Sequence, residues 1–265
     1  MQKRHKDRQQ YFNELANTSR DYYIDYLNCF TTVRNKKVLE IGCGEGGNLV
    51  PFAEIGCEVT GIDISAERIA QANAFFQSLN IEAKFHAIDF FEMTCESESE
   101  KYDIILVHDV IEHIDLKDKF FSHIKQFLAH DGIIFWGFPA WQMPFGGHQQ
   151  ICHHKICSML PFIHLFPKSV YRCILRIFNE PKACIDELMS IKKCGISIEE
   201  FEKLMKKNGH ALINRCLWFI NPHYKQKFGL KPRKLHLLSR IKYVRNFFAT
   251  SCFYVTEARN HNSYE

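Results

Sequence analysis

The chain has 265 residues, 46% of them hydrophobic and 24% charged, which suits one large globular domain with its own core and does not suit disorder. Its formal net charge of +4 is too mild to point to nucleic acid. The 11 cysteines, and a charged start ("MQKRHKDRQQ") without the apolar core of a leader, make reduced thiols and a cytoplasmic location the expectation, and no apolar run approaches the roughly 18 residues of a membrane span.

In chain order, residues 7–29 read as a helix with Tyr11, Phe12, Leu15, Tyr22, Tyr23 and Tyr26 on its apolar faces. Val38 to Ile41 is a short buried strand, followed by the glycine turn "GCGEGG" and a helix from Asn48 to Ile55. "CEVTGIDIS" (57–65) is a second strand ending at Asp63; Ser65 then caps a helix over 66–79. "IEAKFHAI" (81–88) and "YDIILVHDV" (102–110) are the third and fourth strands. The spacing predicts an amphipathic helix over 117–130, and "GIIFWGFP" follows as the fifth strand. Residues 139–195, rich in proline and glycine, break the rhythm and read as an inserted cap of loops and short helices. A capped helix (197–210) and two late strands (211–220 and 250–258) complete the pattern, with a basic segment, 222–247, between those strands.

Strands alternating with helices imply an α/β fold with a parallel sheet covered on both faces, in which ligands sit outside the carboxyl ends of the strands. The glycine turn, Asp63, Asp89 and His108 all fall at such ends. The turn fits two patterns. Gly42, Gly44 and Gly47 make G-x-G-x-x-G, the dinucleotide fingerprint; Glu40 with Gly42, Gly44 and Gly46 makes E-x-G-x-G-x-G. Asp63 suits a ribose diol in either case. Glu40 would repel a pyrophosphate and suits a cationic ligand. Asp89 can accept from an adenine amine while Phe90 packs on the ring.

"VLEIGCGEGGN", "VTGIDIS", "AIDFFE" and "YDIILVHDVIEHI", in this order and spacing, resemble the class I S-adenosylmethionine-dependent methyltransferases, over roughly residues 37 to 140. The resemblance implies a Rossmann-like, doubly wound, seven-stranded sheet, mostly parallel with its last strand antiparallel. It implies one methyltransferase domain over 1–265: a helical cofactor lid (1–36), a cofactor-binding core (37–138), the substrate cap (139–195) and the rest of the sheet (196–265). It implies that Gly42, Cys43, Gly44 and Gly46 line the methionine part of S-adenosylmethionine, with Asp63 on the ribose, Ile64 against adenine, Asp89 on the adenine amine and His108 near the sulfonium through its backbone. The activity expected is methyl transfer to a small or lipid-like molecule, O-methylation favoured. A nicotinamide oxidoreductase and a non-catalytic binder of the cofactor are the alternatives.

"HDVIEHI" resembles a segment of the ubiquinone-pathway O-methyltransferases in which acidic residues and a histidine can hold magnesium. The matching positions are Asp109, Glu112 and His113, but packing is the preferred reading and no metal is assigned. His113 and His148 are the candidate catalytic residues, His148 as the base for a hydroxyl or amine. Trp141, Met143, Phe145 and Phe162 are candidate walls of an apolar site, and Gly146-Gly147 a turn passing close to a ligand. Cys152, His153, His154 and Cys157 invite a zinc reading, but the spacing lacks a second ligand pair and structural zinc is not expected. "LFPKSVYRCILRIF" and the basic segment make contact with anionic lipid a minor alternative to a solvated helix face.

Overall fold

The computed structural model describes residues 7–258. The first helix is one rod in three parts, α1 (Arg8–Thr18), a π turn (Ser19–Tyr23) and α2 (Ile24–Asn28). Asp7 starts it by accepting from the Gln10 N–H. Strands β1 (Lys37–Ile41), β2 (Glu58–Asp63), β3 (Lys84–Ala87), β4 (Tyr102–His108) and β5 (Leu128–Phe138) are parallel to their neighbours. After them come β6 (His210–Ile220), the two-residue β7 (Arg233–Lys234) and β8 (Ser251–Ala258). The sheet order is β3-β2-β1-β4-β5-β8-β6-β7, with β8 inserted antiparallel between β5 and β6. The sheet thus has eight strands where seven were expected, because the short β7 pairs with the outer edge of β6.

The central strands are buried on both faces, which is why they read as apolar runs rather than alternating ones. Leu39, Ile41, Ile105 and Val107 face one core; Val38, Ile104 and Leu106 face the other. Helices α3 (Val50–Glu54) and α4 (Ala66–Ser78) follow β1 and β2, and Ser65 caps α4 by accepting from the Arg68 N–H. The helix expected over 117–130 is shorter. α5 (Lys117–His123) tightens into a 3-10 turn (Ile124–Phe127), and β5 already begins at Leu128. Leu128 pairs with Tyr102, and the register then shifts at Asp131, whose φ is +61°. The irregular entry into β5 hides its start from periodicity.

Residues 139–195 hold α6 (Lys155–Met159), α7 (Lys168–Ile177) and α8 (Lys182–Cys194) around a third apolar cluster that includes Cys152, Cys157, Tyr171, Cys184 and Leu188. α9 (Ile198–Lys207) and α10 (His223–Phe228) flank β6. The basic segment is less free than its composition implies. Arg245 is 3% exposed and pairs with Glu199 at 3.0 Å and Glu202 at 2.9 Å, and Lys225 pairs with Asp21 at 2.8 Å. No helix among the described residues is long and apolar enough to cross a membrane.

Candidate active site

The parallel register brings the carboxyl ends of β1, β2 and β4 to one rim. The chain leaves β1 through Gly42, Gly44 and Gly46, at φ +70°, +53° and +79°. That left-handed run needs glycine. A Cβ on Gly46 would lie 2.9 Å from the Phe85 ring, whereas one on Gly44 would meet nothing nearer than the Arg68 side chain at 3.8 Å. The backbone at Gly44 therefore borders open space. Gly47 has a different duty. It begins the 3-10 turn before α3, and a Cβ there would strike the Phe12 carbonyl at 2.6 Å. It lets the N-terminal helix lie directly on the turn.

Asp63 ties the rim together. Its carboxylate accepts from the Gly44 N–H and from the Ser65 N–H, both at 2.9 Å. Glu40 is 1% exposed; one oxygen accepts from the Asn48 side chain at 2.7 Å and the other has no hydrogen-bond partner among the described residues. Burial pushes the Glu40 carboxyl up to about 8, against the opposing Asn48 hydrogen bond. Ile64, by contrast, is 78% exposed at the end of β2. Cys43 is buried, and its N–H donates to the Ile62 carbonyl. Asp89 caps a 3-10 turn by accepting from the Phe91 N–H. Phe90 does not face this rim. Its ring packs against Phe120, Phe127 and His123 at 4.9–5.4 Å in the core, because the chain turns inward after Asp89. The adenine-packing ring expected from the sequence is absent at Phe90.

His108 ends β4 with its imidazole over Gly137, where a Cβ would approach to 2.2 Å. Its Nε2 shares a hydrogen bond of 2.7 Å with the Tyr23 hydroxyl of the N-terminal helix. That helix is held further by Ser19, which donates to the Asn48 carbonyl at 2.8 Å, and by Arg8, 3.0 Å from the buried Glu45.

Beyond β4 the chain makes a 3-10 turn over Ile111–His113. Glu112 is 2% exposed and neither carboxylate oxygen has a hydrogen-bond partner among the described residues. His148, from the loop after β5, holds Nε2 at 4.0 Å from Glu112, and the His113 and His148 rings meet edge to face at 5.0 Å. Burial raises the Glu112 carboxyl above its ordinary value and lowers His148 to about 4, so the His148 imidazole is neutral near pH 7. Asp109 is not among the ligand atoms that lie within 4.8 Å of one another there; it sits 3.4 Å from its neighbour His108, and its charge reaches Glu112, His113 and His148. Magnesium does not fit what remains. Glu112, His113 and His148 lie within 4.8 Å of one another but offer two nitrogens and one oxygen, and magnesium selects oxygen.

The cap residues also depart from their expected duty. A Cβ on Gly146 would lie 2.3 Å from the Trp141 carbonyl, and one on Gly147 would lie 2.2 Å from His164. These glycines fit the cap to itself. The Trp141 ring lies over Gly195, and Met143 is buried; Phe162 remains 38% exposed, facing Phe247 at 6.4 Å.

Residues 32–158 match the family model described as a methyltransferase domain. Over these residues the chain carries a methyltransferase domain. Over 116 residues, 42% of this chain and 49% of the relative, it is 35% identical to a ubiquinone biosynthesis O-methyltransferase of Glaesserella parasuis. It is 36% identical over 107 residues to the protein of that name in Nitrobacter winogradskyi, covering 40% of this chain and 39% of the relative. The chain thus spans about half, or less, of the length of the curated relatives it matches. Among solved structures, a magnesium protoporphyrin IX methyltransferase of Synechocystis with bound S-adenosylhomocysteine aligns at a TM-score of 0.56 and 16% identity, over 93% of this chain and 84% of that one. An S-adenosylmethionine-dependent methyltransferase of Clostridium acetobutylicum aligns at 0.58 and 12% identity, over 92% of each chain. At these identities the likeness is one of fold.

Several partners at the rim carried no sequence signal of their own. Asn48 lies eight residues from Glu40 and meets it only because the turn folds back. Tyr23 meets His108 across 85 residues. Gly137, inside an apolar strand, reads as a lapse in the pattern, yet it makes room for an imidazole.

Proposed function

We propose that this chain transfers the methyl group of S-adenosylmethionine to a hydroxyl of a small or lipid-like molecule. The observation that carries the reading is the cluster of Glu112, His113 and His148, beyond the end of β4 on the side of the glycine turn. Arg68 reaches both places, near Gly44 by contact and near His113 by its charge. The donor fits the other half of the rim. Glu40 offers a buried, unpartnered carboxylate oxygen to a cation, and Ile64 offers an uncovered apolar side chain to a base. Gly42, Cys43, Gly44 and Gly46 would border the amino-acid part, Asp63 the ribose, Asp89 and the Phe90 backbone the adenine, and the His108 backbone the reacting centre.

When bound, the sulfonium makes its methyl group electrophilic without help. The protein's part is to bring an acceptor oxygen into line, exclude water and take up the proton. His148, neutral at pH 7, can accept that proton. A base this weak suffices because a hydroxyl becomes strongly acidic only as its oxygen gains the methyl group. The exposed Phe162 and Phe166, near Lys168 and Arg172 in the chain, and the exposed Phe247 and Phe248 at the end of the basic segment support an apolar acceptor and contact with anionic lipid.

The test is incubation with methyl-labelled S-adenosylmethionine and a panel of phenols, alcohols, amines and lipid extracts. Label is expected on oxygen. Binding of NAD in place of S-adenosylhomocysteine would support an oxidoreductase instead, and cofactor binding without transfer to any acceptor would leave a binding module.

A further inference from the structure

The cap contains a second group of metal-ligating side chains, away from the rim. Cys152 and Cys157 lie on either side of the entry to α6, and their sulfurs are 3.6 Å apart. Glu180, just before α8, is 6% exposed, and its carboxylate lies within 4.8 Å of both sulfurs. Cys184, on the first turn of α8, adds a third thiol that interacts with Cys152 and Glu180 from just outside that 4.8 Å group. The Tyr171 hydroxyl, fully buried and without a hydrogen-bond partner among the described residues, faces the same four groups. None of the three cysteines is in a disulfide.

The surroundings are apolar, formed by Ile163, Leu175, Ile185 and Leu188. Placing a carboxylate there without a cation is costly, and no cation pairs with Glu180 among the described residues. Its orientation is instead fixed from behind. The His153 and His154 N–H groups donate to its two oxygens at 2.8 and 2.9 Å. This is the outer-shell support that metal-bound carboxylates receive. The two histidines contribute only these backbone groups; the His154 ring lies on Phe178 at 4.9 Å. The second ligand pair that the local spacing lacked is supplied by Glu180, in the α7–α8 connection, and Cys184, on the first turn of α8.

We propose that Cys152, Cys157, Cys184 and Glu180 form a closed, structural zinc site that fastens the loop after β5 to α8. Two thiolates on tetrahedral zinc stand about 3.8 Å apart, given Zn–S bonds of about 2.3 Å, close to the separation already present. Three thiolates and a carboxylate make a tetrahedral set with no position open to substrate, as a structural site requires. Binding releases the three thiol protons to solvent. The site is independent of the reaction at Glu112, His113 and His148, so its success or failure does not bear on the methyl-transfer reading.

The test uses the full chain, purified under reductant, stripped of metal and titrated with cobalt(II) and then zinc(II). One equivalent of cobalt is expected to bind with an intense thiolate-to-cobalt charge-transfer band and tetrahedral visible bands, all lost when zinc displaces it. The Cys152→Ser, Cys157→Ser double variant should lose the charge-transfer band, whereas His113→Ala and His148→Ala should keep it. Absence of the band in the reduced native chain overturns the proposal, as does a band of full strength in the double variant. Should that variant fail to fold, native mass spectrometry of the unaltered chain decides: one bound zinc atom that protects three thiols from alkylation supports the site, and a Cys152–Cys157 disulfide with no zinc uptake after reduction refutes it.

Discussion

The turn after β1 and the loop after β5 both use clustered glycines, and they use them for opposite ends. Gly42, Gly44 and Gly46 take left-handed φ values, and Gly44 leaves its side of the turn open. Gly146 and Gly147 are absent from the positive-φ residues, and their missing side chains are replaced by the Trp141 carbonyl and His164. In the first case glycine shapes a surface for something else; in the second it closes the cap on itself. A glycine pair alone therefore says little about ligands. What lies within reach of the missing Cβ distinguishes the two.

The comparison extends to chemistry. The rim around Gly44 should govern affinity for the cofactor, and the Glu112–His148 cluster should govern turnover. The largest expected effect is on the second half. His148→Ala should lower kcat by about 10²- to 10⁴-fold, the usual contribution of a positioned base. Affinity for S-adenosylhomocysteine should stay the same. A variant that binds the product poorly but turns over normally would place His148 in the wrong half.

Asp63→Ala tests the first half. It removes ribose hydrogen bonds and the acceptor that holds the Gly44 N–H, and is expected to weaken cofactor binding by about 2–4 kcal/mol. Calorimetric titration with S-adenosylhomocysteine measures this, and unchanged affinity would remove Asp63 from the cofactor site. Tyr23→Phe is expected to do less. It strips a buried partner from His108, a cost of about 1–3 kcal/mol, felt as lower thermal stability and looser cofactor binding. If melting temperature and affinity both hold, the N-terminal helix is not latched through this pair.

The two halves also differ in how far the sequence exposes them. The rim is built from contacts between consecutive elements. Strand, glycine turn, helix and acidic strand end recur within about 25 residues, so periodicity and turn chemistry suffice to find them. The Glu112–His148 cluster joins residues 36 apart through a loop of irregular backbone, with His148 itself at φ +56°. Nothing in the local pattern puts Asp109 outside that cluster or His148 inside it. Phe90 misleads for a related reason. An aromatic after a strand-end acid suits a ligand in sequence, but three core aromatics claim its ring once the sheet forms. The cap's Cys152, Cys157 and Cys184 likewise come together only when the α7–α8 connection folds back.

Glu40 gives the subtlest separation of the halves, because it should couple cofactor binding to pH while leaving the chemical step alone. Its carboxyl titrates at about 8 in the folded chain, against about 4.5 when exposed. Folding therefore binds a proton here. The stability this group permits is full below pH 4.5 and falls as pH rises from 4.5 to 8. A cation placed beside the unpartnered oxygen favours the carboxylate and pulls the titration down. Binding S-adenosylmethionine at pH 6 to 7 should then expel a fraction of a proton, and affinity should rise toward pH 8 by less than tenfold per unit. Calorimetry in two buffers of different ionisation heat measures the released proton directly. Glu40→Gln should abolish the release and flatten the pH profile, with little change in kcat at saturating cofactor. A native chain that binds without exchanging protons would show that the cation sits elsewhere on the rim, and that the buried carboxyl at the end of β1 serves the turn rather than the ligand.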